Sequence, residues 1–350
     1  MAPHSVAAPA VAAPPPVEAA LAAGAASNAP HSASSAGSSG PADGSATAAA
    51  SPQPPDSASR RGTASELALR IAFTVVAVPA VLVLAYRGGL YLATLLAVLA
   101  AVGAWELYRV ARSGGVEPIS VIGVPLAAAL PIAASAAPPG VYVLPPGWAA
   151  MAVLLVLAAA IWVRGAQRRP LASVAVTMFG AMYTGGMLSF GYAIRYHRYA
   201  VGDLAGTALV MLPVLLTWTN DVASYAVGRM LGRRKLLPAV SPGKTVAGAV
   251  GGVVLTMVVC WAYVRWVLRP SAELGLAPWG IVVFALVISV AAQIGDLAES
   301  LFKREAGVKD TSRIIPGHGG VLDRIDSLLF VLPTAYLLFD LPGLLLPAPV

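Results

Sequence analysis

Charged residues are scarce in this chain, since Asp, Glu, Lys and Arg make up 11% of its 350 residues. An average soluble domain has roughly 25% charged residues, so the composition argues against a soluble globular protein. Cysteine is nearly absent too, and Cys260 is the only one. A single thiol excludes an intrachain disulfide and a cysteine-rich zinc site. The hydrophobic content of 58% and the mean hydropathy of +0.76 indicate a polytopic membrane protein.

The net charge of +7 does not by itself indicate nucleic-acid binding. Membrane proteins collect Lys and Arg in their cytoplasmic loops, and that tendency alone can produce a basic chain. The sequence therefore predicts a lipid bilayer, and no nucleic acid, among the partners of this protein.

Large apolar side chains are almost missing from residues 1–62, which consist mostly of Ala, Pro, Ser and Gly. Such a segment cannot bury enough surface to offset the entropy lost on ordering, so we predict a disordered tail there. The tail lacks the basic start and apolar core of a signal peptide. We expect transmembrane helices 1–5 in residues 63–204, and a catalytic part with helices 6–9 and two cytoplasmic loops in residues 205–350.

Nine apolar stretches have about the 20 residues that a helix needs to cross the hydrocarbon core. Their approximate limits are 67–86, 88–108, 119–137, 147–163, 171–194, 206–228, 245–268, 278–295 and 325–346. With the N-terminus inside the cell, 18 of the 23 Lys and Arg residues fall in cytoplasmic segments. By the positive-inside rule, this split predicts an all-α, multi-pass protein of the cell membrane with a cytoplasmic N-terminus.

The acids of interest stand where the predicted spans meet the two cytoplasmic loops, which share one membrane face and can therefore meet. They and one neighbouring amide are Asn220, Asp221, Asp296, Asp323 and Asp326. The i, i+3 spacing of the last two places their carboxylates on one helix face. Acids near a bilayer are costly and usually have a partner. Ion pairs with Arg229, Arg304 or Arg324 are one interpretation, and a site for Mg²⁺, which prefers oxygen ligands, is the other.

The loop before the last span contains the sequence PGHGG, from Pro316 to Gly320. Its glycines leave backbone N–H groups accessible, and the N-terminus of the following helix favours anions. A phosphate-binding turn and a plain tight loop are both consistent with this pattern. His318 has no Cys or His close by in the sequence to complete a zinc site. Its hypothetical roles are to donate a hydrogen bond to phosphate or to order the loop.

Basic residues alternate with these acids and glycines along both loops. Anionic headgroups and the positive-inside rule explain how many there are but not this alternation. The segment SPGKT, from Ser241 to Thr245, is not a P-loop, because Pro238 stands where that motif needs its first glycine. The sequence therefore predicts a membrane-embedded site in which a divalent cation neutralises a polyphosphate during phosphoryl or nucleotidyl transfer.

The segment Ser300–Asp326, SLFKREAGVKDTSRIIPGHGGVLDRID, resembles the signature of the phosphatidate cytidylyltransferases, also called CDP-diacylglycerol synthases. Every position that the signature specifies matches in this segment. The preceding GDLAES and the earlier NDVASYAVGR, from Asn220 to Arg229, resemble two further segments of the family.

One segment departs from the family pattern, which commonly reads Ser-Pro-Lys-Lys-Thr-Trp-Glu-Gly. This chain has SPGKTVAG, so Gly243, Val246 and Ala247 replace a lysine, a tryptophan and a glutamate. Any role of the lost lysine and glutamate cannot be carried over. The basic residues that would compensate for the missing charge are Arg233, Arg234 or Lys235.

The resemblance implies that the protein transfers a cytidylyl group from CTP to phosphatidic acid, giving CDP-diacylglycerol and pyrophosphate at the cytoplasmic face. It also implies Mg²⁺, with room for a second cation of unknown identity, and we expect a homodimer. The implied metal ligands are Asp296 and Asp323, with Asp326 and Asp221 as further ligands. The residues that we expect to act in catalysis are Asp296, Asp323, Asp326, Lys309 and Asp310. Those that we expect to bind the substrates are Asn220, Asp221, Arg229, Ser241, Lys244, Thr245, Lys303, Arg304, Gly317, His318, Gly319, Gly320 and Arg324.

Two alternatives remain open from the sequence. One is a cytidylyltransferase or kinase that acts on another lipid phosphate or on a polyisoprenol. The other is an ion-coupled transporter, because acids inside a membrane also mark ion paths. Transporters usually keep such acids near the midplane between two matching halves, whereas these acids gather at one face.

Overall fold

The structure is a computed structural model that describes residues 74–137, 146–312, 314 and 319–347, without the side chains of Pro146 and Trp148. The predicted disordered tail and the predicted site residues Gly317 and His318 lie outside the described residues. The described residues belong to one compact unit, Asp56–Val350. The division of this unit between residues 204 and 205 stays a prediction.

The described residues contain nine helices when a helix that continues through a π-helical turn is counted as one. They are α1 (Thr74–Arg87), α2 (Gly89–Ser113), α3 (Ser120–Ser135), α4 (Pro146–Val163), α5 (Pro170–Arg195), α6 (Asp203–Leu231), α7 (Val246–Ala272), α8 (Pro278–Glu305) and α9 (Leu322–Phe339). Four of them, α2, α5, α7 and α8, are long and apolar enough to cross a membrane. The all-α prediction is confirmed, and the nine membrane crossings stay a prediction.

Two small antiparallel sheets complete the described fold. The first is a hairpin between α6 and α7, formed by β1 (Lys235–Leu237) and β2 (Ser241–Thr245). In the second, β3 (Leu274–Leu276) precedes α8 and pairs with β4 (Leu345–Pro347), which follows α9. This second sheet therefore joins the start of α8 to the end of α9, away from the acids that stand at their other ends.

The described helices differ from the predicted spans at informative places. Pro125 and Pro131 lie inside α3 without ending it, because neighbouring helices can support a helix whose hydrogen-bond ladder proline interrupts. The prediction that the last span runs to residue 346 is wrong, since α9 ends at Phe339 and the chain turns into β4. Proline and glycine at 342–343 fit this end of the helix.

Close helix contacts shape the interior of the bundle. Buried Leu212 and Leu216 of α6 and Phe284 and Ile288 of α8 belong to one large apolar cluster. A side chain on Gly185, in the π turn of α5, would place its Cβ 2.9 Å from Ala127 Cα. Because lipid tails are as apolar as leucine, close packing of this kind, rather than burial from water, favours helix association in a bilayer.

A polar network joins the three helices that surround the acids. Ser289 Oγ of α8 donates a hydrogen bond to Asn220 Oδ1 of α6 at 2.6 Å. Gln293 Nε2, also of α8, donates to the same oxygen and to the Ala249 carbonyl of α7, each at 3.2 Å. Buried polar groups that satisfy one another in this way fix the relative register of their helices.

Candidate active site

A cavity of about 630 Å³ lies where α6, the β1–β2 hairpin and α8 meet, and we call it the Lys244 cavity. Its charged lining residues are Asp221, Arg229, Lys235, Lys244 and Asp296. Four glycines also line it, so the backbone is accessible along much of its wall. Three cations and two carboxylates around one cavity are suited to a polyanionic ligand that brings a cation with it.

The two polar loops meet at this cavity, as their predicted positions on one face require. Lys244 Nζ of β2 lies 2.6 Å from Asp296 Oδ2 of α8. Arg304 Nε, in the last turn of α8, donates a hydrogen bond to the Val240 carbonyl of the hairpin at 3.3 Å. The predicted contact between the two loops is therefore confirmed.

Asn220 and Thr245 line the cavity, but their polar atoms have partners in the protein. Asn220 is 1% exposed and holds the polar network between α6 and α8. Thr245 caps the N-terminus of α7, where its Oγ1 accepts a hydrogen bond from the Gly248 N–H at 3.1 Å. Ser241, at the start of β2, also lines the cavity. The substrate-binding roles of these three residues stay predictions.

Asp323 lies in the first turn of α9, and both of its carboxylate oxygens accept hydrogen bonds. Lys303 Nζ of α8 lies 2.7 Å from Asp323 Oδ1 and equally close to Glu299 Oε2. The Gly320 N–H and the Thr311 hydroxyl donate to Asp323 Oδ2 at 2.8 and 2.9 Å. This carboxylate therefore joins α8, the segment at Thr311 and the start of α9.

The carboxylates of Asp221, Asp296 and Asp326 repel one another electrostatically. Asp326 is 8% exposed, and the Ser327 N–H donates to its Oδ1 at 2.6 Å. Within the described part of the chain, no group of three or more His, Cys, Asp or Glu side chains is arranged to hold a metal ion. The donor set still fits Mg²⁺ chemically, because it consists of oxygens and a cation would relieve the repulsion.

Lys309 and Asp310 lie apart from the Lys244 cavity. They line a second recess of about 470 Å³ together with Arg109 and Ser113 of α2. Gly319 and Gly320 stand at the start of α9, and Gly319 has the positive φ of 79° that favours glycine. The structure thus distributes the predicted site residues over the Lys244 cavity, the surroundings of Asp323 and the recess at Lys309. Their individual roles stay predictions.

Helix α2 supplies a residue that the sequence interpretation missed. Glu106 is fully buried, and its carboxylate accepts hydrogen bonds from the backbone N–H groups of Val321 and Leu322 at the start of α9. One signal was available, since Glu106 is the only acid in the apolar stretch 88–108. An ionisable residue inside an apolar span is a functional candidate by default. The contact itself joins distant parts of the chain, and no local pattern reveals it.

A helical membrane protein with acids, cations and glycines gathered at one end of its bundle is the class that this fold and site define. The model of the Cytidylyltransferase family matches residues 68–341, and the chain belongs to this family. Over 128 residues, it is 42% identical to proteins named phosphatidate cytidylyltransferase from Staphylococcus saprophyticus and Staphylococcus epidermidis. A Staphylococcus aureus protein of the same name is 41% identical over the same length. The match covers 37% of this chain and 47% of each relative, which is about half of their length.

Proposed function

We propose that this protein transfers the cytidylyl group of CTP to phosphatidic acid, giving CDP-diacylglycerol and pyrophosphate for phospholipid synthesis. The observation that carries this proposal is the Lys244 cavity, in which three cations and two carboxylates converge. Membership of the Cytidylyltransferase family supports the reaction class. The names of the Staphylococcus relatives support phosphatidic acid as the acceptor.

In this proposal the triphosphate of CTP lies in the cavity against Arg229, Lys235 and Lys244. Lys244 is paired with Asp296 in the structure, at 2.6 Å, so nucleotide binding exchanges a carboxylate partner for a phosphate partner. Both pairs are charge-assisted, so Lys244 keeps an anionic partner in the exchange, and Asp296 is released to face the cation that accompanies the nucleotide. The glycine-lined wall lets the triphosphate approach the backbone closely.

Asp221, Asp296, Asp323 and Asp326 would hold Mg²⁺, which when bound supplies charge neutralisation at the phosphates. The mutual repulsion of Asp221, Asp296 and Asp326 supports this assignment for three of them. Asp323 is assigned on its position one turn from Asp326, and its present donors are Lys303, Thr311 and Gly320.

The reaction that we propose needs no protein nucleophile. An oxygen of the lipid phosphate attacks the α-phosphorus of CTP and forms a new P–O bond. The bond from that phosphorus to the oxygen bridging to the β-phosphate breaks, and pyrophosphate leaves with the electron pair. The protein contributes by positioning the two substrates and by stabilising the charge that moves to the leaving group. Lys303, Arg304 and Arg324 are the residues that we assign to the lipid phosphate or to the acids.

Lys235 is the residue that we propose to replace the lysine lost at Gly243. Arg233 and Arg234 are not among the described residues that line the cavity, whereas Lys235 is. Its position in β1 pairs with Thr245 of β2, next to Lys244, so the hairpin places both lysines beside the same cavity. A cation on the facing strand would supply the missing charge from a different backbone position.

We propose that nine helices cross the cell membrane with the N-terminus in the cytoplasm. The division of 18 against 5 basic residues supports this orientation. The four helices that are long and apolar enough to span support a chain that crosses the membrane several times. The Lys244 cavity then lies at the cytoplasmic face, where CTP is available, and at the depth of the lipid headgroups.

The direct test is incorporation of radiolabelled CTP into lipid by the purified protein in detergent, with and without Mg²⁺. We expect a CDP-lipid product from phosphatidic acid that requires Mg²⁺. A competition assay with other lipid phosphates tests the acceptor. If phosphatidic acid gives no product and another lipid phosphate is turned over, the protein acts as one of the related lipid enzymes. Product formation in micelles, where no ion gradient exists, would exclude the transporter alternative.

A further inference from the structure

Glu106 of α2 accepts hydrogen bonds from Ser312, Val321 and Leu322, and Thr311 lies beside its carboxylate. The backbone N–H groups of Val321 and Leu322 donate to it at 3.0 and 2.6 Å. The Ser312 hydroxyl also donates to its carboxylate, and the oxygen of the Thr311 hydroxyl, which donates to Asp323, lies close to it. We call these five residues the Glu106 cluster.

The position of this carboxylate explains why a buried acid is tolerated there. The first N–H groups of a helix have no partner within the helix, and they carry partial positive charge. Glu106 satisfies two of them at the start of α9. Without it, these N–H groups would lose their acceptor, which is costly for donors that are partly or fully buried.

The Glu106 cluster shares one residue with the surroundings of Asp323. The Thr311 hydroxyl lies 3.3 Å from Glu106 Oε2 and 2.9 Å from Asp323 Oδ2. Gly320, whose N–H donates to Asp323, has no room for a side chain, because a Cβ there would lie 2.7 Å from both Glu106 oxygens. The backbone that positions Asp323 is therefore packed directly against Glu106.

We infer that Glu106 is a positioning residue, which holds Thr311, Ser312 and the start of α9 in the arrangement that orients Asp323 for catalysis. Helix α2 thereby contributes to the site although it is remote from the signature in sequence. The inference deepens the proposed function and rests on it for the catalytic consequence. The structural consequence, protection of the backbone N–H groups at the start of α9, can be measured independently of turnover.

The first measurement uses Glu106→Gln, which keeps the size of the side chain but turns one acceptor oxygen into an N–H₂ donor. We expect kcat to fall by about 10- to 100-fold, as is typical when the hydrogen-bond partner of a metal ligand is removed. We expect the Mg²⁺ concentration for half-maximal rate to rise, and the KM for CTP to stay within about twofold, because the Lys244 cavity lies on other elements.

The second measurement is hydrogen exchange of the same proteins in detergent, read by mass spectrometry. In Glu106→Gln we expect faster deuterium uptake in peptides that cover residues 308–325, relative to the unchanged protein. Ser312→Ala should raise uptake in the same peptides, and the increase in the double variant should be smaller than the sum of the two single increases. Such non-additivity is expected of groups that share one hydrogen bond.

Thr177→Val is the matched control. Thr177 is also fully buried, and its Oγ1 accepts from the Ile119 N–H at 2.8 Å in a part of the bundle formed by α3 and α5. We expect a lower melting temperature but an unchanged Mg²⁺ midpoint and unchanged exchange at 308–325.

Unchanged exchange at 308–325 in Glu106→Gln would overturn the inference, whether or not the protein is active. Faster exchange with an unaltered kcat and Mg²⁺ midpoint would overturn its catalytic part. Lack of CDP-lipid product from the unchanged protein would instead refute the proposed function, and exchange would still decide whether Glu106 protects the start of α9.

Discussion

The Lys244 cavity and the Glu106 cluster are both polar, and both adjoin the acids, yet they are built in opposite ways. In the cavity, cations and carboxylates surround open space, and Lys244 pairs with Asp296 across it. In the cluster, three donors, Ser312, Val321 and Leu322, converge on one buried carboxylate. A region with charge in excess of its internal partners is suited to binding a ligand. A region whose polar groups satisfy one another fixes the backbone instead.

Two glycines show the same difference between the open cavity and the closely packed cluster. Gly243 lines the cavity and has no atom within 4 Å of the position where a Cβ would stand. Gly320 adjoins the cluster, and a Cβ there would contact Glu106 and Thr311. Substitutions should therefore be tolerated at the first position and costly at the second, unless our assignment of the two regions is mistaken.

The largest effect is expected for Asp296→Asn in the cavity. The variant removes a carboxylate that faces Lys244 and that we assign to Mg²⁺. Loss of one such electrostatic group typically costs about 10²- to 10³-fold in kcat, so we expect a loss of this size in radiolabelled CTP incorporation at saturating Mg²⁺.

Glu117→Gln serves as its control, since it makes the same chemical change at an exposed acid that pairs with Arg164. The control should keep its activity within about twofold, because exposed ion pairs contribute little to stability. Near-wild-type turnover of Asp296→Asn would show that this acid is not needed for catalysis.

Gly320→Ala should have the next largest effect. The added methyl group must displace the Glu106 carboxylate or the Thr311 hydroxyl, so the surroundings of Asp323 must shift. We expect about a 10- to 100-fold lower kcat with little change in the KM for CTP, as for other changes in the support of a metal ligand. Gly147→Ala, at an exposed glycine of α4 with open space, is the control. A KM effect larger than the kcat effect would contradict the separation of the two regions.

The sequence predicted the cavity more completely than it predicted the cluster, for a physical reason. Lys244 and Asp296 lie in short segments with recognisable spacing, and the basic-residue distribution placed both loops on one face. This predicted topology allowed the two loops to meet, and their contact is seen in the structure. The presence of the helices was predictable as well, because a long apolar stretch in a membrane must satisfy its backbone hydrogen bonds internally, as a helix does.

The Glu106 contact could not be predicted in that way. It joins α2 to the start of α9, far along the chain, and it depends on how helices pack rather than on any local pattern. The end of α9 at Phe339 was also missed, because the apolar sequence continues beyond it into β4. Hydropathy records composition, whereas the end of the helix is determined by the turn residues and by the pairing of β4 with β3.

Lys244→Ala should act on binding more than on turnover. We assign this lysine to the CTP phosphates, and a hydrogen bond to a charged group contributes roughly 1.5–3 kcal/mol, which corresponds to at least about tenfold in affinity. We expect the KM for CTP to rise by about that factor and kcat to fall less. Lys244→Arg should recover part of the affinity. An unchanged KM would show that the lysine serves only to hold Asp296.

The smallest effect, and the sharpest test of the cavity, comes from Lys235 and Gly243. If Lys235 replaces the lysine lost at position 243, Lys235→Ala should raise the KM for CTP by about fivefold, since a charge at an anionic interface contributes about 1 kcal/mol.

Adding Gly243→Lys to Lys235→Ala should restore the KM, because the open space there admits the side chain. Gly243→Gln in the same background adds comparable bulk without charge and should not restore it. The rescue should weaken at high salt, where exposed charges are screened. Equal rescue by Lys and Gln would mean that shape rather than charge was lost at position 243.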